Sequence, residues 1–261
     1  VKALSQRRRH PLAIFALMIL GLLVTGSLYT LATSVNEARA DTASFTASDV
    51  EQGQKLFVAN CATCHGMNAG GTPAGPTLVG VGAAAVDFQV GTGRMPMQMQ
   101  GPQAFLKPPQ FNDEQTKQLA AYVASLGAGP AIPDPEYLDA QGNAAEGGEL
   151  FRMNCAMCHN AAGAGGALTQ GKFAPALDGV TPEHIYEAMV TGPQNMPVFS
   201  DANIPPEGKR DIITFLKTIE QGSPGGADLG SLGPVSEGLF VWVAGLSVII
   251  AFTIWLTSRV S

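Results

Sequence analysis

Four cysteines occur in the 261 residues, and they form two groups of one pattern: Cys61-Ala62-Thr63-Cys64-His65 and Cys155-Ala156-Met157-Cys158-His159. In each group two thiols stand about one helical turn apart and a histidine follows at once. Both sulfurs can then reach the vinyl groups of one haem and form thioethers, with the histidine beneath the iron as an axial ligand. A shared zinc site needs the two pairs to converge, yet they lie in separate copies of a repeat, about 90 residues apart. A thiol–disulfide motif has no use for a fixed histidine after the second cysteine. No cysteine is left over, so the expected cofactors are two covalently attached haems c.

The ligand opposite each histidine decides the chemistry. A methionine there makes the iron six-coordinate and raises its potential, which suits electron transfer rather than oxygen or peroxide binding. Each copy carries a Met-Pro downstream of its histidine, Met95-Pro96 and Met196-Pro197. Met97 and Met99 compete with Met95, but only Met95 aligns with Met196. The expected iron ligands are therefore His65 with Met95 and His159 with Met196. Met67, Met153, Met157 and Met189 read as apolar filling. Pro76 and Pro175 are expected to lend a backbone carbonyl to the second ring nitrogen of each histidine, fixing the ring. Arg94, beside Met95, could pair with a haem propionate, though that is not its expected role; His10 is given no redox role, and His184 reads as a surface or supporting residue.

These residues need elements to hold them, and the sequence repeats those elements. Gly53-Gln54-Lys55-Leu56-Phe57 leads into the first motif as Gly147-Gly148-Glu149-Leu150-Phe151 leads into the second. Gly75-Pro76-Thr77-Leu78 answers Ala174-Pro175-Ala176-Leu177. A helical stretch from Asp113 to Leu126, with Leu119, Tyr122, Val123 and Leu126 on one face, answers Gly208 to Ile219, with Ile212, Phe215, Leu216 and Ile219. The offset drifts only across Gly- and Pro-rich loops, where insertions are tolerated. The expected fold is all-α, two tandem class I cytochrome c domains over 48–127 and 144–221, joined by a linker over 128–143. Such Gly- and Pro-rich domains are short of aromatics, and a haem supplies the centre that their cores lack.

Apolar runs flank the pair. Residues 11–33 follow a basic start, 1–10, that contains Arg7-Arg8-Arg9. That run is long enough to span a bilayer with its basic end inside. Ala38-Arg39-Ala40 would suit a signal cleavage site, but the run exceeds a signal's apolar core, so a retained helix (an uncleaved signal anchor) is expected. A Gly-rich tether over 222–237 leads to a second span, 238–257, with Trp242 and Trp255 towards its ends. Both haem domains then lie outside the cytoplasmic membrane, with both termini in the cytoplasm. Between Asp41 and Glu237 there are 9 basic and 20 acidic residues. That balance argues against nucleic acid as a partner and for a basic or mixed protein surface.

Beyond the haem motifs, the chain resembles the diheme cytochrome c subunit of the actinobacterial menaquinol–cytochrome c reductase, the bcc-type complex. The resemblance rests on Gly91-Thr92-Gly93-Arg94-Met95-Pro96, Gly171-Lys172-Phe173-Ala174-Pro175, Thr191-Gly192-Pro193-Gln194-Asn195-Met196-Pro197 and Leu232-Gly233-Pro234. It implies a membrane subunit without a catalytic site of its own, partnered by a cytochrome b subunit, a Rieske iron–sulfur protein and an aa-type cytochrome oxidase. Electrons from menaquinol would pass from the Rieske protein through the first haem and then the second to the oxidase's copper centre. Two other readings stay open on the motifs: the diheme subunit of another complex, such as a cbb-type oxidase or a membrane alcohol dehydrogenase, and a diheme peroxidase. Paired Met-Pro motifs weigh against the peroxidase, which needs an open iron position.

Overall fold

The computed structural model describes residues 15, 17–27, 45–99, 101–222 and 234–258. These residues are mainly helical, in the order α1 (Leu17–Ser27), α2 (Ala47–Asn60), α3 (Ala62–His65), α4 (Ala83–Gly91), α5 (Asp113–Ala124), α6 (Ala144–Asn154), α7 (Ala156–His159), α8 (Pro182–Thr191), α9 (Pro206–Gln221) and α10 (Pro234–Ser258). One departure from all-α is a pair of two-residue antiparallel strands, β1 (Gly166–Ala167) and β2 (Phe173–Ala174). It has a simple origin. The second copy runs 16 residues from His159 to Pro175 where the first runs 11 from His65 to Pro76. The surplus folds into a small hairpin.

The contacts divide the chain into two compact units, one drawn from Val1–Ala83 and Lys117–Ala131, the other from Ala84–Thr116 and Ile132–Ser261. In the first unit Thr46 caps α2: its hydroxyl accepts from the Asp49 N–H at 3.1 Å, and the Asp49 carboxylate accepts from the Thr46 N–H at 2.8 Å. Gly53 then lies against the backbone of α5, where a Cβ would collide with the Gln118 carbonyl. That close crossing brings the rings of Phe57 and Tyr122 to 5.2 Å between centroids. Phe57, Leu119 and Val123 are all but fully buried.

The second unit repeats this construction. Asn143 caps α6. Gly147 meets the Asp211 carbonyl of α9 where Gly53 meets that of Gln118, and Phe151 packs on Phe215 at 5.5 Å. Ile185, Met189, Ile204, Ile212, Ile213 and Leu216 complete its core. The helical face differs slightly from the repeat reading: Ile213 is buried, while Ile219, near the end of α9, is exposed. The stretch before α6 is fastened to this unit. Tyr137 stacks on Tyr186, the Asp139 carboxylate accepts two hydrogen bonds from Arg210 at 2.7 Å, and the Gly142 N–H donates to the Thr214 hydroxyl at 2.9 Å.

Residues 84–116 belong to the first copy by repeat and to the second unit by packing. The Gln103 side-chain amide pairs with both backbone groups of Phe173, each at 2.9 Å. The Gln194 amide does the same with Ala104, at 3.0 and 3.1 Å. Phe105 stacks on Phe173. Each amide satisfies a backbone donor and acceptor as a strand partner would.

Residues 237–258 of α10 form a helix long and apolar enough to cross a membrane, none of it buried within the chain. Its 22 residues at about 1.5 Å each match a hydrocarbon core of about 30 Å. The helix begins at Pro234, four residues before the expected span. At the other end α1 is a shorter apolar helix of 11 residues. The rest of the expected 11–33 span, residue 15 apart, lies outside the described residues, as do His10, the basic start, the Ala38-Arg39-Ala40 site and most of the 222–237 tether.

Candidate haem sites

Each attachment motif is built by a helix that stops and restarts. In the first unit Cys61 closes α2, its N–H donating to the Phe57 carbonyl at 2.8 Å, and also opens the one-turn α3. The His65 N–H donates back to the Cys61 carbonyl at 3.0 Å, so sulfur, sulfur and imidazole follow one another around a single turn. The His65 ring bonds through Nδ1 to the Pro76 carbonyl at 2.8 Å. Gly75 supports that contact by closeness: a Cβ there would lie 2.8 Å from the Cys64 oxygen and 3.2 Å from the imidazole.

The second unit matches this bond for bond. The His159 N–H donates to the Cys155 carbonyl at 2.9 Å, and His159 Nδ1 bonds to the Pro175 carbonyl at 2.9 Å. The Gly165 N–H donates to the His159 carbonyl at 2.9 Å where Gly71 donates to His65 at 2.8 Å. Both prolines therefore do what the sequence predicts. With Nδ1 donating, Nε2 keeps the lone pair that an iron would take. Burial holds the His159 pKa below its ordinary value, against the opposing Pro175 bond, which keeps the ring neutral as a ligand must be.

Burial, and then the neighbouring cysteine, push the Cys61 and Cys155 thiols up to about 11. A redox C-x-x-C works through a lowered thiol, and burial moves both of these thiols the other way. Instead Cys155, Cys158, His159 and Met196 line one cavity of about 660 Å³, within the range of about 300–1,000 Å³ usual for cofactor sites. Apolar side chains such as Phe151, Ile185, Met189 and Leu216 share its wall. Two thiols on one rim, an imidazole and a thioether on one apolar space form a donor set that fits a covalently held haem.

The axial candidates of the first motif fall in different units. His65 lies in the first, and Met95 lies after α4 in the second, its N–H donating to the Gln89 carbonyl at 2.8 Å. Met95 is half-buried, whereas Met97 and Met99 are exposed. Of the methionines expected as filling, only Met189 is buried. Met67, Met153 and Met157 are exposed, Met157 by 94%. The reason at Met157 is local: when both cysteines and the histidine of a one-turn helix face inward, the residue between them faces out.

Some residues of this site were not legible. Arg94 lines the cavity of the second motif, its guanidinium 4.8 Å from the centre of the Phe88 ring, and Lys107 and Lys172 line it too. A basic residue beside a Met-Pro is no signal by itself, because the packing of 84–116 brings it there. His184 lines the same cavity and is half-buried, more enclosed than a surface residue.

Comparison with known proteins agrees with both copies. Residues 50–127 match the family model described as cytochrome c, and residues 142–216 match that of subunit III of the cbb3-type cytochrome c oxidase. The chain is 49% identical over 227 residues to the cytochrome bc1 complex cytochrome c subunit of Corynebacterium efficiens, covering 80% of this chain and 77% of that protein. It is 42% identical over 252 residues to the subunit of the same name from Mycobacterium leprae, covering 93% and 86%. A cbb3-type cytochrome c oxidase subunit FixP from Sinorhizobium medicae is 33% identical over 121 residues, 43% of this chain and 39% of that protein.

Proposed function

Because this chain belongs to the family of cytochrome bc1 complex cytochrome c subunits, we propose that it relays single electrons from a Rieske iron–sulfur protein, through two haems c, to the copper centre of an aa-type oxidase. As a member of that family it is a subunit of a membrane respiratory complex with quinol–cytochrome c reductase activity, and it works among the other subunits of that complex. Its two cytochrome c domains imply covalently bound haem c.

In the proposed reading Cys61, Cys64 and His65 hold one haem and Cys155, Cys158 and His159 the other, with Met95 and Met196 as the sixth ligands. Bound there, haem supplies a one-electron couple. The chain's residues do the rest. The Pro76 and Pro175 carbonyls orient the imidazoles, and the apolar wall keeps water from the second site. The observation that carries the reading is the common cavity of Cys155, Cys158, His159 and Met196. Met196 closes the position that a peroxidase would leave open. The cytochrome b subunit, the Rieske protein and the aa-type oxidase are the proposed partners. A helix over 11–33 is the proposed second span, with the haem domains on the outer face and both termini in the cytoplasm.

The likeness to the cbb3-type subunit favours a second reading, a diheme subunit of such an oxidase, but it reaches only part of the chain. Purification from native membranes separates the two. Cytochrome b and Rieske subunits should co-purify with the chain, and a pyridine haemochrome assay on acid-acetone-extracted protein should return two haems c per chain. A single haem, or haem that extracts, would overturn the cofactor assignment; co-purification with a cbb-type oxidase would overturn the circuit.

A further inference from the structure

Within the second unit, α4 and α8 meet around three side chains that the haem sites do not use as ligands. Asp87 comes from α4. His184 and Glu187 stand three residues apart on α8, and so on one face of it. One ligand atom from each lies within 4.8 Å of the other two, and His184 Nε2 is 3.9 Å from Asp87 Oδ2. Glu187 is 0% exposed, and neither of its carboxylate oxygens has a hydrogen-bond donor among the described residues. Beside it stands the Asp87 carboxyl, and two carboxyl groups can bond only by sharing a proton.

A buried carboxylate without a partner is costly, and two side by side more so. Among the described residues Asp87 has one ion-pair partner, His184, and no Lys or Arg pairs with Glu187. Glu183 and Asp113 add negative charge around Asp87. Burial first, then Glu183 and Asp113, push Asp87 up to about 6; burial first, then Asp87 and Glu183, push Glu187 up to about 10. Two buried acids side by side with an imidazole, and no Lys or Arg paired with Glu187 among the described residues, make a place that a cation would suit. Access to the imidazole is provided by Gly91, where a Cβ would stand 3.1 Å from His184 Nε2. Phe88 meets the same ring edge to face, which fixes its plane.

We propose that Asp87, His184 and Glu187 bind one divalent zinc ion. Two carboxylates balance its charge, and one imidazole with two carboxylates is a donor set that zinc accepts, a water completing the tetrahedron. Ligand atoms about 2.0–2.2 Å from a tetrahedral zinc lie about 3.4 Å from one another. Binding would draw the three atoms, now within 4.8 Å of one another, towards that spacing. The ion is structural: it fastens α4, which carries the Met95 loop, to α8, which lines the haem cavity of the second motif. This assignment does not depend on the identity of the electron donor or acceptor.

The test uses the whole complex, purified in metal-free buffers. Zinc is counted by mass spectrometry against haem c from the pyridine haemochrome assay. The wild-type complex should hold one zinc more per chain than complexes carrying Glu187→Gln or Asp87→Asn, while all keep the same haem c content. If the variants fail to assemble, depletion of the wild type with dipicolinate and reloading with Zn²⁺ alone decides the matter. Reloading should restore one zinc per chain and raise the melting temperature of the haem c absorbance. Equal zinc in wild type and variants, or no uptake on reloading, would overturn the site and leave the trio as a carboxyl pair sharing a proton. Stoichiometric binding of calcium or magnesium in its place would overturn the assignment to zinc.

Discussion

His159 has one ring nitrogen committed to Pro175 and lines a cavity that Met196 also lines, so in the proposed haem site the sixth ligand would be the main control on potential and coordination. Methionine sulfur bound to ferric haem gives a near-infrared charge-transfer band that a second histidine does not. With His/Met ligation at both sites, Met196→His should remove about half of that band, leave both haems attached, and lower the potential of one haem. Met97→Leu and Met99→Leu should leave the band as it is, since both side chains are exposed. An unchanged band in Met196→His would place the ligand elsewhere. Residues of this kind were legible because a covalent bond fixes their type and spacing: two sulfurs and an imidazole must follow one another around one turn. Glu187 was not. An acid in the middle of a helix normally faces water, and no sequence pattern distinguishes it from one sealed by a neighbouring helix.

At the scale of elements, the glycine of each repeat is explained by a helix crossing rather than by a turn. Gly53 and Gly147 sit inside helices, where glycine costs about 0.5–1 kcal/mol relative to alanine. Alanine would recover that, but its Cβ would run into the carbonyls of Gln118 and Asp211. Overpacking against a backbone that cannot rotate away costs about 1–3 kcal/mol, so the clash wins. Gly147→Ala should therefore lower the melting temperature of the second haem domain by several degrees, at about 4–8 °C per kcal/mol for a domain of this size. Melting of the haem c absorbance in the full-length protein measures it; an unchanged or higher melting temperature would refute the crossing argument. The helices themselves were legible from their 3.6-residue periodicity. The packing of 84–116 was not, because it depends on Gln103 and Gln194 pairing with single backbone positions, which leaves no period to read. The blocks that carried the family resemblance gain a physical meaning from it. Phe173 and Gln194 grip that segment, and Lys172 donates to Asn195 beside Met196.

At the scale of the whole molecule, the 9 basic and 20 acidic residues between Asp41 and Glu237 give the part outside the apolar ends a strongly negative net charge. Encounter with a basic partner surface gains speed from that charge and loses it in salt. Diffusion matters less for a chain already held in place. Helix α10 exposes apolar side chains along its length and is not buried among the described residues, a surface that suits lipid or other membrane subunits. A tethered carrier works at an effective concentration set by its anchor rather than by the amount of protein in solution. Deleting residues 234–258 should then separate attachment of haem from use of it. Haem c content of the truncated chain should persist, because thioether formation needs only Cys61, Cys64, Cys155 and Cys158 with their histidines. The truncated chain should partly leave the complex on purification, and quinol-driven oxygen uptake by membranes should fall several-fold. Raising the salt should deepen the loss in the truncated protein more than in the wild type, since with one anchor gone electrostatic docking carries more of its hold on its partners. If oxygen uptake stayed at the wild-type level while the chain was released, the chain would not be the obligate link between quinol oxidation and the oxidase.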